Sequence, residues 1–415
     1  MITCIKNPAL IVTPDTRGRL FLRGKEANEV MSLTGHSIIC EDGWIADIVP
    51  NQNLRKIKIN KVIDVRDKVV LPGLVECHTH SVYEGSRASE YLLKLNGATY
   101  NEIAAAGGGI VKTVNAVRSA SPAKLLNSFS GRIRKFISQG VTTLEVKSGY
   151  GLDTRSEIKM LRVIREAAKR FSVDIVPTFL GAHTIPAEYK GKRDEYIRLI
   201  VGEMLPKIRK QKLAEFCDGF CESSAFTAKE IDLIFQKASE LGFRLRLHTE
   251  QFTNIGGLQT ALKHQAVSVD HLEVLNKKDI SALSSSDTVS VLLPAVSYFL
   301  NYDYAPARSL IDNNCIVALA TDYNPGSSPV DNLGFIFSLA ALKLKMTPEE
   351  IVSAYTINAA AALNRSDTAG SIETGKNADF AVMDIENYTG LPYYLSENRN
   401  VMTIKKSKII YQKKN

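Results

Sequence analysis

Short apolar runs separated by Gly, Asp and Asn open the chain. Leu10-Ile-Val12, Ser37-Ile-Ile-Cys40, Trp44-Ile-Ala-Asp-Ile-Val49 and Lys61-Val-Ile-Asp-Val65 read as β-strands joined by turns. The same style returns near the C-terminal end in Ala378-Asp-Phe-Ala-Val-Met383, Val401-Met-Thr-Ile404 and Lys408-Ile-Ile-Tyr411. From 69 to about 363 the pattern changes: strand-like runs alternate with longer stretches of helical periodicity, as βα units around a parallel sheet require. Eight strands are predicted, at 69–75, 141–147, 175–180, 216–222, 243–247, 266–270, 288–293 and 316–321. Helical stretches fall at 123–139, 155–170, 193–210, 228–241 and 257–263. The expected fold is α/β, a (β/α)8 TIM-like barrel over 69–364. Segments 1–68 and 365–415 are expected to pair as one small β-sandwich domain with the barrel inserted between its halves.

Composition adds little to that picture. With 45% hydrophobic and 23% charged residues the chain is an ordinary globular one of 415 residues. Lys and Arg exceed Asp and Glu by 52 to 44, but the basic residues are scattered apart from a lysine-rich C-terminus. That argues for a solvated surface, without the basic stripe or aromatic platform of a nucleic-acid binder, and it suits an anionic small-molecule substrate. The six cysteines are far apart or inside apolar runs, and Cys217 and Cys221 have no second pair with which to build a zinc knuckle. Free buried thiols are expected, in a reducing cytoplasm. No run has the length of a signal core or a membrane span, so a cytoplasmic protein without membrane contact is expected.

The candidate chemistry gathers at strand ends. The first strand runs into His78-Thr-His80, two imidazoles at i and i+2 that project from one side of an extended chain. The third strand ends in Leu180-Gly-Ala-His183, the fifth in Leu247-His-Thr-Glu-Gln251, the sixth in Asp270-His-Leu-Glu273 and the eighth in Ala320-Thr-Asp322. Five of the seven histidines therefore sit at the mouth of the expected barrel, and only His36 and His264 lie elsewhere. A lone histidine at a strand end is an ordinary structural residue; this joint placement points to a metal centre. His78, His80, His248 and Asp322 would form an N3O donor set with a position open to water, suited to one divalent ion, zinc or iron. An ion there would lower the pKa of water from about 15.7 to roughly 7. Barrels that bridge two ions commonly use a modified lysine on the fourth strand. Phe216-Cys-Asp-Gly-Phe-Cys-Glu222 has no lysine, which favours one ion.

Leu71-Pro-Gly, His78-Thr-His80 and the eighth-strand aspartate resemble the amidohydrolase superfamily. Within it, longer stretches are similar to the imidazolonepropionase family: Cys77-His-Thr-His-Ser-Val-Tyr-Glu-Gly-Ser-Arg-Ala88, Gly97-Ala-Thr-Tyr100, Ala106-Gly-Gly-Gly-Ile-Val111, Glu145-Val-Lys-Ser-Gly-Tyr-Gly151, Phe179-Leu-Gly-Ala-His183, Asp270-His-Leu-Glu273 and Thr321-Asp-Tyr-Asn-Pro-Gly-Ser-Ser-Pro329. The resemblance implies hydrolysis of the cyclic amide of 4-imidazolone-5-propanoate to N-formimidoyl-L-glutamate, and a homodimer. It puts the metal ligands on His78, His80, His248 and Asp322, and the substrate contacts on Arg87, Tyr150, His183, Gln251, Asn324, Gly326 and Ser327. The residue chemistry agrees. Arg87 offers a fork for the propionate, and Tyr150 stands between two glycines that let the backbone approach a ligand. His183 could donate to the ring oxygen or the carboxylate, or simply be held by a backbone carbonyl.

The proton shuttle is expected among His271, Asp322 and Glu250. Gln251 stands where the family has glutamate or glutamine, and an amide cannot take a proton. That favours His271 with Asp322. Two other readings stay open: a deaminase of a nucleobase-like ring, for which Arg87 would have no use, and a non-catalytic scaffold, which would be expected to have lost metal ligands.

Overall fold

The computed structural model describes residues 1–97 and 108–414. Parts of two family motifs, residues 98–100 and 106–107, therefore lie outside the described residues. Eight parallel strands form one sheet in chain order: β1 (Leu74–Glu76), β2 (Val141–Lys147), β3 (Asp174–Ala182), β4 (Phe216–Cys221), β5 (Arg244–Thr249), β6 (Ser268–His271), β7 (Val289–Leu292) and β8 (Val317–Leu319). A parallel bridge between Thr79 and Tyr323, with the His80 N–H donating to the Tyr323 carbonyl at 3.0 Å, joins the last strand to the first. The barrel thus closes at the level of the candidate ligands.

The helices form where their signals lie. Pro122–Ser138 starts at Ser121, whose hydroxyl accepts from the Lys124 N–H, and Pro122 occupies the first turn, where no donor is needed. Its buried face, Leu125, Phe129, Ile133 and Phe136, recurs every three or four residues and packs in the same core as Val141 and Leu144 of β2. Thr154–Arg170 is capped by Asp153, and Ala228–Glu240 by a Thr227/Glu230 capping box. The stretch expected as one helix over 193–210 is two, Arg193–Leu199 and Leu205–Lys210, joined by a π turn at Ile200–Met204. Pro206 explains the turn: it has no N–H for the carbonyl four residues back, and its ring crowds that carbonyl.

The terminal segments supply two further sheets. One has the order Trp44–Pro50, His36–Glu41, Ile2–Lys6, Lys61–Asp64; the other runs Lys408–Gln412, Asn400–Lys405, Phe380–Met383, Val69–Pro72, Leu10–Pro14, Val30–Leu33. Ile5, Ile38, Ile45 and Ile63 of the first share a buried core with Ile11, Val70, Phe380 and Ile404 of the second, as in the expected sandwich. One boundary moves. The run 69–75 is not one barrel strand, because Val69–Pro72 pairs with Phe380–Met383 and Leu10–Pro14, and only Leu74–Glu76 enters the barrel. The chain changes sheets at Gly73, where a Cβ would lie 2.2 Å from the Thr142 hydroxyl. All six cysteines are buried free thiols. Among the described residues, no helix is long and apolar enough to cross a membrane.

Candidate metal centre

The ends of β1, β5 and β8 bring four donor atoms together. Nε2 of His78 and Nε2 of His80 lie 3.3 and 3.2 Å from Oδ1 of Asp322, and Nε2 of His248 lies 3.3 Å from Nε2 of His80. The opposite nitrogens of two of these rings are committed. His78 Nδ1–H donates to Asp270 Oδ2 at 2.7 Å, and His248 Nδ1–H donates to Asp218 Oδ1 at 3.0 Å. These bonds select the tautomer whose bare Nε2 faces the cluster, the usual support of a metal-binding histidine. His78 Nε2 and Asp322 Oδ1 are buried with no hydrogen-bond partner. Lone pairs facing one another in a buried space repel unless a cation lies among them.

The charge around the cluster points the same way. The barrel interior below holds Glu145, Asp218, Asp270 and Asp322 against two cations, Lys147 and Arg246, all essentially without exposure. The two negative charges left over are what one divalent ion neutralises, so the residues fit a metal by donor chemistry and by charge. Burial pulls His80 and His248 below the ordinary imidazole value, and the carboxylates beside them only partly offset it. Burial alone would raise Asp322, but the His78 and His80 rings against Oδ1 hold it well below the usual carboxylate range. Glu76 stands apart: it accepts from Tyr355 and from the Thr321 and His78 N–H groups, and burial pushes it up to about 7.

Around this cluster the expected contact residues are unequally disposed. The Arg87 Nε–H donates to Glu90 at 2.8 Å, and its guanidinium packs on Gly326, where a Cβ would lie 2.1 Å from Nη1. Tyr150 is buried with its ring 5.9 Å from that of His80 and 5.5 Å from that of His183. Gly149 before it takes φ +105°, a conformation open to glycine. His183 stacks on His80 at 5.1 Å, and its Nδ1–H donates to the Gly149 carbonyl at 3.0 Å. Burial takes His183 down to about 3, so the ring is neutral and its Nε2 is an acceptor. Gln251 donates to the Tyr302 hydroxyl at 3.0 Å.

Asn324 is spent on its own turn. Its Oδ1 accepts from the Gly326 and Ser327 N–H groups, both at 2.8 Å, and its Nδ2 donates to the Asp322 carbonyl and the Ser327 hydroxyl. It shapes the loop after β8 and has no hydrogen-bonding capacity left for a ligand.

The three shuttle candidates separate. Asp322 is in the cluster, and His271 flanks it, its ring 5.5 Å from that of His248. Burial lowers His271, but Glu273, with Oε1 3.8 Å from Nδ1, Asp322 and Asp270 together raise it above its ordinary value. Glu250 is not brought to the cluster: its Oε1 accepts from the Leu258 N–H at 3.2 Å, at the start of the helix Gly257–Lys263. Strand alternation would aim residue 250 the same way as His248. The strand ends at Thr249, however, and Glu250 takes φ +50°, which turns its side chain away. Left-handed φ values recur at His271, Leu272 and Asp322, where two further strands end at the site.

Sequence reasoning passed over Asp218, Glu145, Lys147 and Arg246 as functional residues. The signal was present as charges at alternate positions inside apolar strands. It also passed over Glu157, whose buried carboxylate accepts from the N–H groups of Gly149, Gly151 and Leu152 and so holds the loop that carries Tyr150.

Residues 69–412 match the amidohydrolase family. An imidazolonepropionase of Caldanaerobacter subterraneus is 43% identical over 404 residues, covering 97% of this chain and 96% of the relative. One from Christiangramia forsetii is 41% identical over 380 residues, 91% and 92% of the two chains. Among solved structures the E. coli guanine deaminase superposes with a TM-score of 0.73 at 14% identity over 100% of both chains. An adenosine deaminase from Xanthomonas campestris with bound zinc gives 0.72 at 17% identity, covering 98% of this chain and 92% of the other. At such identities these two structures speak for the fold.

Proposed function

The chain belongs to the amidohydrolase family and, within it, to the imidazolonepropionases, which hydrolyse the cyclic amide of 4-imidazolone-5-propanoate to N-formimidoyl-L-glutamate, and we propose that it does so at one divalent-metal centre held by His78, His80, His248 and Asp322. The gathering of the His78, His80 and His248 ring nitrogens at one buried point, two of them against Asp322 Oδ1, carries this reading. A bound ion supplies Lewis acidity to the ring carbonyl and acidifies water. Zinc or iron suits the nitrogen-rich set, and zinc is the ion in the adenosine deaminase structure.

The chain's own residues divide the remaining work. Arg87, with Nε held by Glu90, has its two terminal nitrogens for the propionate carboxylate. Tyr150, kept protonated by burial, donates a hydrogen bond to the substrate. His183 accepts from a ring N–H rather than donating, because Nδ1 carries its proton. Gln251 orients the ring, and Gly326 and Ser327 line it from the loop after β8, which Asn324 shapes.

Asp322 turns Oδ1 to His78 and His80, leaving Oδ2 to take a proton from the attacking water and return it to the leaving ring nitrogen. His271 donates to the oxyanion that develops on the former carbonyl. Glu250 has no part in these transfers.

A division into 1–72 with 365–415 and a barrel from 74 to 364, a homodimeric assembly and a cytoplasmic setting complete the proposal. The decisive experiment follows the ultraviolet absorbance of 4-imidazolone-5-propanoate with metal-replete enzyme and again after chelation. A loss of absorbance that chelation abolishes is expected, and absorbance that decays equally in both refutes the metal centre.

A further inference from the structure

Beneath the metal cluster a second position is already built for a cation. Lys147, the last residue of β2, places Nζ 2.9 Å from Glu145 Oε1, 2.9 Å from Asp218 Oδ2 and 4.0 Å from Asp270 Oδ2. None of the four side chains has measurable exposure. Two of the carboxylates also face the ligand histidines, since Asp218 accepts from His248 and Asp270 from His78. Donor oxygens of Asp218 and Asp270 lie within 4.8 Å of one another, close enough for one ion to reach both. Asp218 Oδ2 is buried without a hydrogen bond, so it meets the ammonium as a charge and not through a directed bond.

We propose that Lys147 is the resident cation of a second, carboxylate-lined cation position, and that its ammonium limits the chain to one divalent ion. The inference rests on the metal centre proposed above. Oxygen donors from Glu145, Asp218 and Asp270 are those that hard divalent ions take, and they are arranged around a point that Nζ fills. With Lys147 present, one divalent ion balances the buried charge, and a second would leave two uncompensated positive charges among fully buried side chains, at a prohibitive desolvation cost. Removing the ammonium opens the position and cuts that imbalance to a single charge. A lysine on the second strand thus does in this barrel what a second ion would do: it holds the aspartates that orient two ligand histidines. The missing lysine on β4 and the lysine on β2 become two parts of one arrangement.

The test is metal stoichiometry. Wild-type protein, Lys147→Met and Lys147→Arg are stripped, incubated with excess Zn2+ or Mn2+, desalted and assayed for bound metal by mass spectrometry, with folding followed by circular dichroism. The expected result is one ion per chain for wild type and Lys147→Arg, and two for Lys147→Met. A folded Lys147→Met chain with a single ion overturns the inference, as does a wild-type chain with two. If Lys147→Met is unfolded without metal, recovery of its fold in excess metal with two bound ions supports the inference, and recovery with one ion, or failure to recover in any metal, counts against it. A wild-type chain that binds no ion refutes the metal centre itself, an outcome distinct from all of these.

Discussion

Replacing Glu157 with Ala should damage stability and substrate affinity together, although its carboxylate touches no metal ligand. That carboxylate accepts from the N–H groups of Gly149, Gly151 and Leu152 at 3.1, 2.8 and 2.9 Å, in a loop buried along its length. A buried donor left without a partner costs about 1–3 kcal/mol, and water can enter part of the vacated space, so Glu157→Ala should lose about 3–6 kcal/mol. Glu157→Gln keeps one acceptor oxygen for Gly151 and Leu152 and turns an amide donor toward Gly149, for a loss of about 1–2 kcal/mol. Because the same loop carries Tyr150 and the carbonyl that holds His183, KM should rise roughly tenfold in the alanine variant, equivalent to about 1.4 kcal/mol of binding.

The pH dependence separates this role from generic packing. Burial raises Glu157 above its ordinary 4.5, and the three N–H groups only partly offset it. A raised acid contributes stability that is complete below 4.5 and is lost as pH climbs through the folded-state value. The stability margin of wild type over Glu157→Gln should therefore narrow from acid pH upward, other groups cancelling in the difference. Urea unfolding followed by circular dichroism, with steady-state kinetics on the folded variants, measures both effects. An alanine variant within about 0.5 kcal/mol of wild type, with unchanged KM, would refute the reasoning.

Three further outcomes are expected. Gly326→Ala places a methyl group against the Arg87 guanidinium and should raise KM roughly 10- to 100-fold, the loss of a charge-assisted pair worth about 1.5–3 kcal/mol, with kcat much less affected; a KM equal to wild type would show that Arg87 does not hold the propionate. His271→Ala should lower kcat by about 10²–10³ in stopped-flow turnover, the loss of an oxyanion donor, while Gln251→Glu should change kcat far less, and the reverse order would move the chemistry to the fifth strand. Stripping the metal should cost about 2.7 kcal/mol of stability relative to protein held at a hundred times Kd, since two buried negative charges lose their counterion, and so lower the melting temperature; a thermal scan indifferent to added ion would remove the charge argument.

How much of this was legible in the chain depended on distance. Seven of the eight barrel strands lie where the apolar runs put them, because a strand buried on both faces writes its burial into consecutive residues. The exception, 69–75, is as apolar as the rest. Which sheet each half joins depended on Gly73 clearing Thr142, a contact between residues far apart in sequence. His78 and His80 could be paired from spacing alone, since period-two geometry is local. Glu250 could not be placed that way: the alternation that aimed it at the metal ends one residue earlier, in a left-handed turn with no local signature.

The sequence by itself determined the periodicities, hence the eight βα units, the terminal β segments and the ring of histidines and carboxylate at the strand ends. Those are properties of residues and their near neighbours. Tertiary structure alone decided which tautomers the ligand histidines adopt, which way His183 presents its lone pair, and why a second-strand lysine lies against aspartates of the fourth and sixth strands. The physical reason is that burial and charge balance belong to the closed barrel. An aspartate on an isolated strand is a solvated anion, and only inside the closed barrel must it find a histidine, a lysine or an ion to answer its charge.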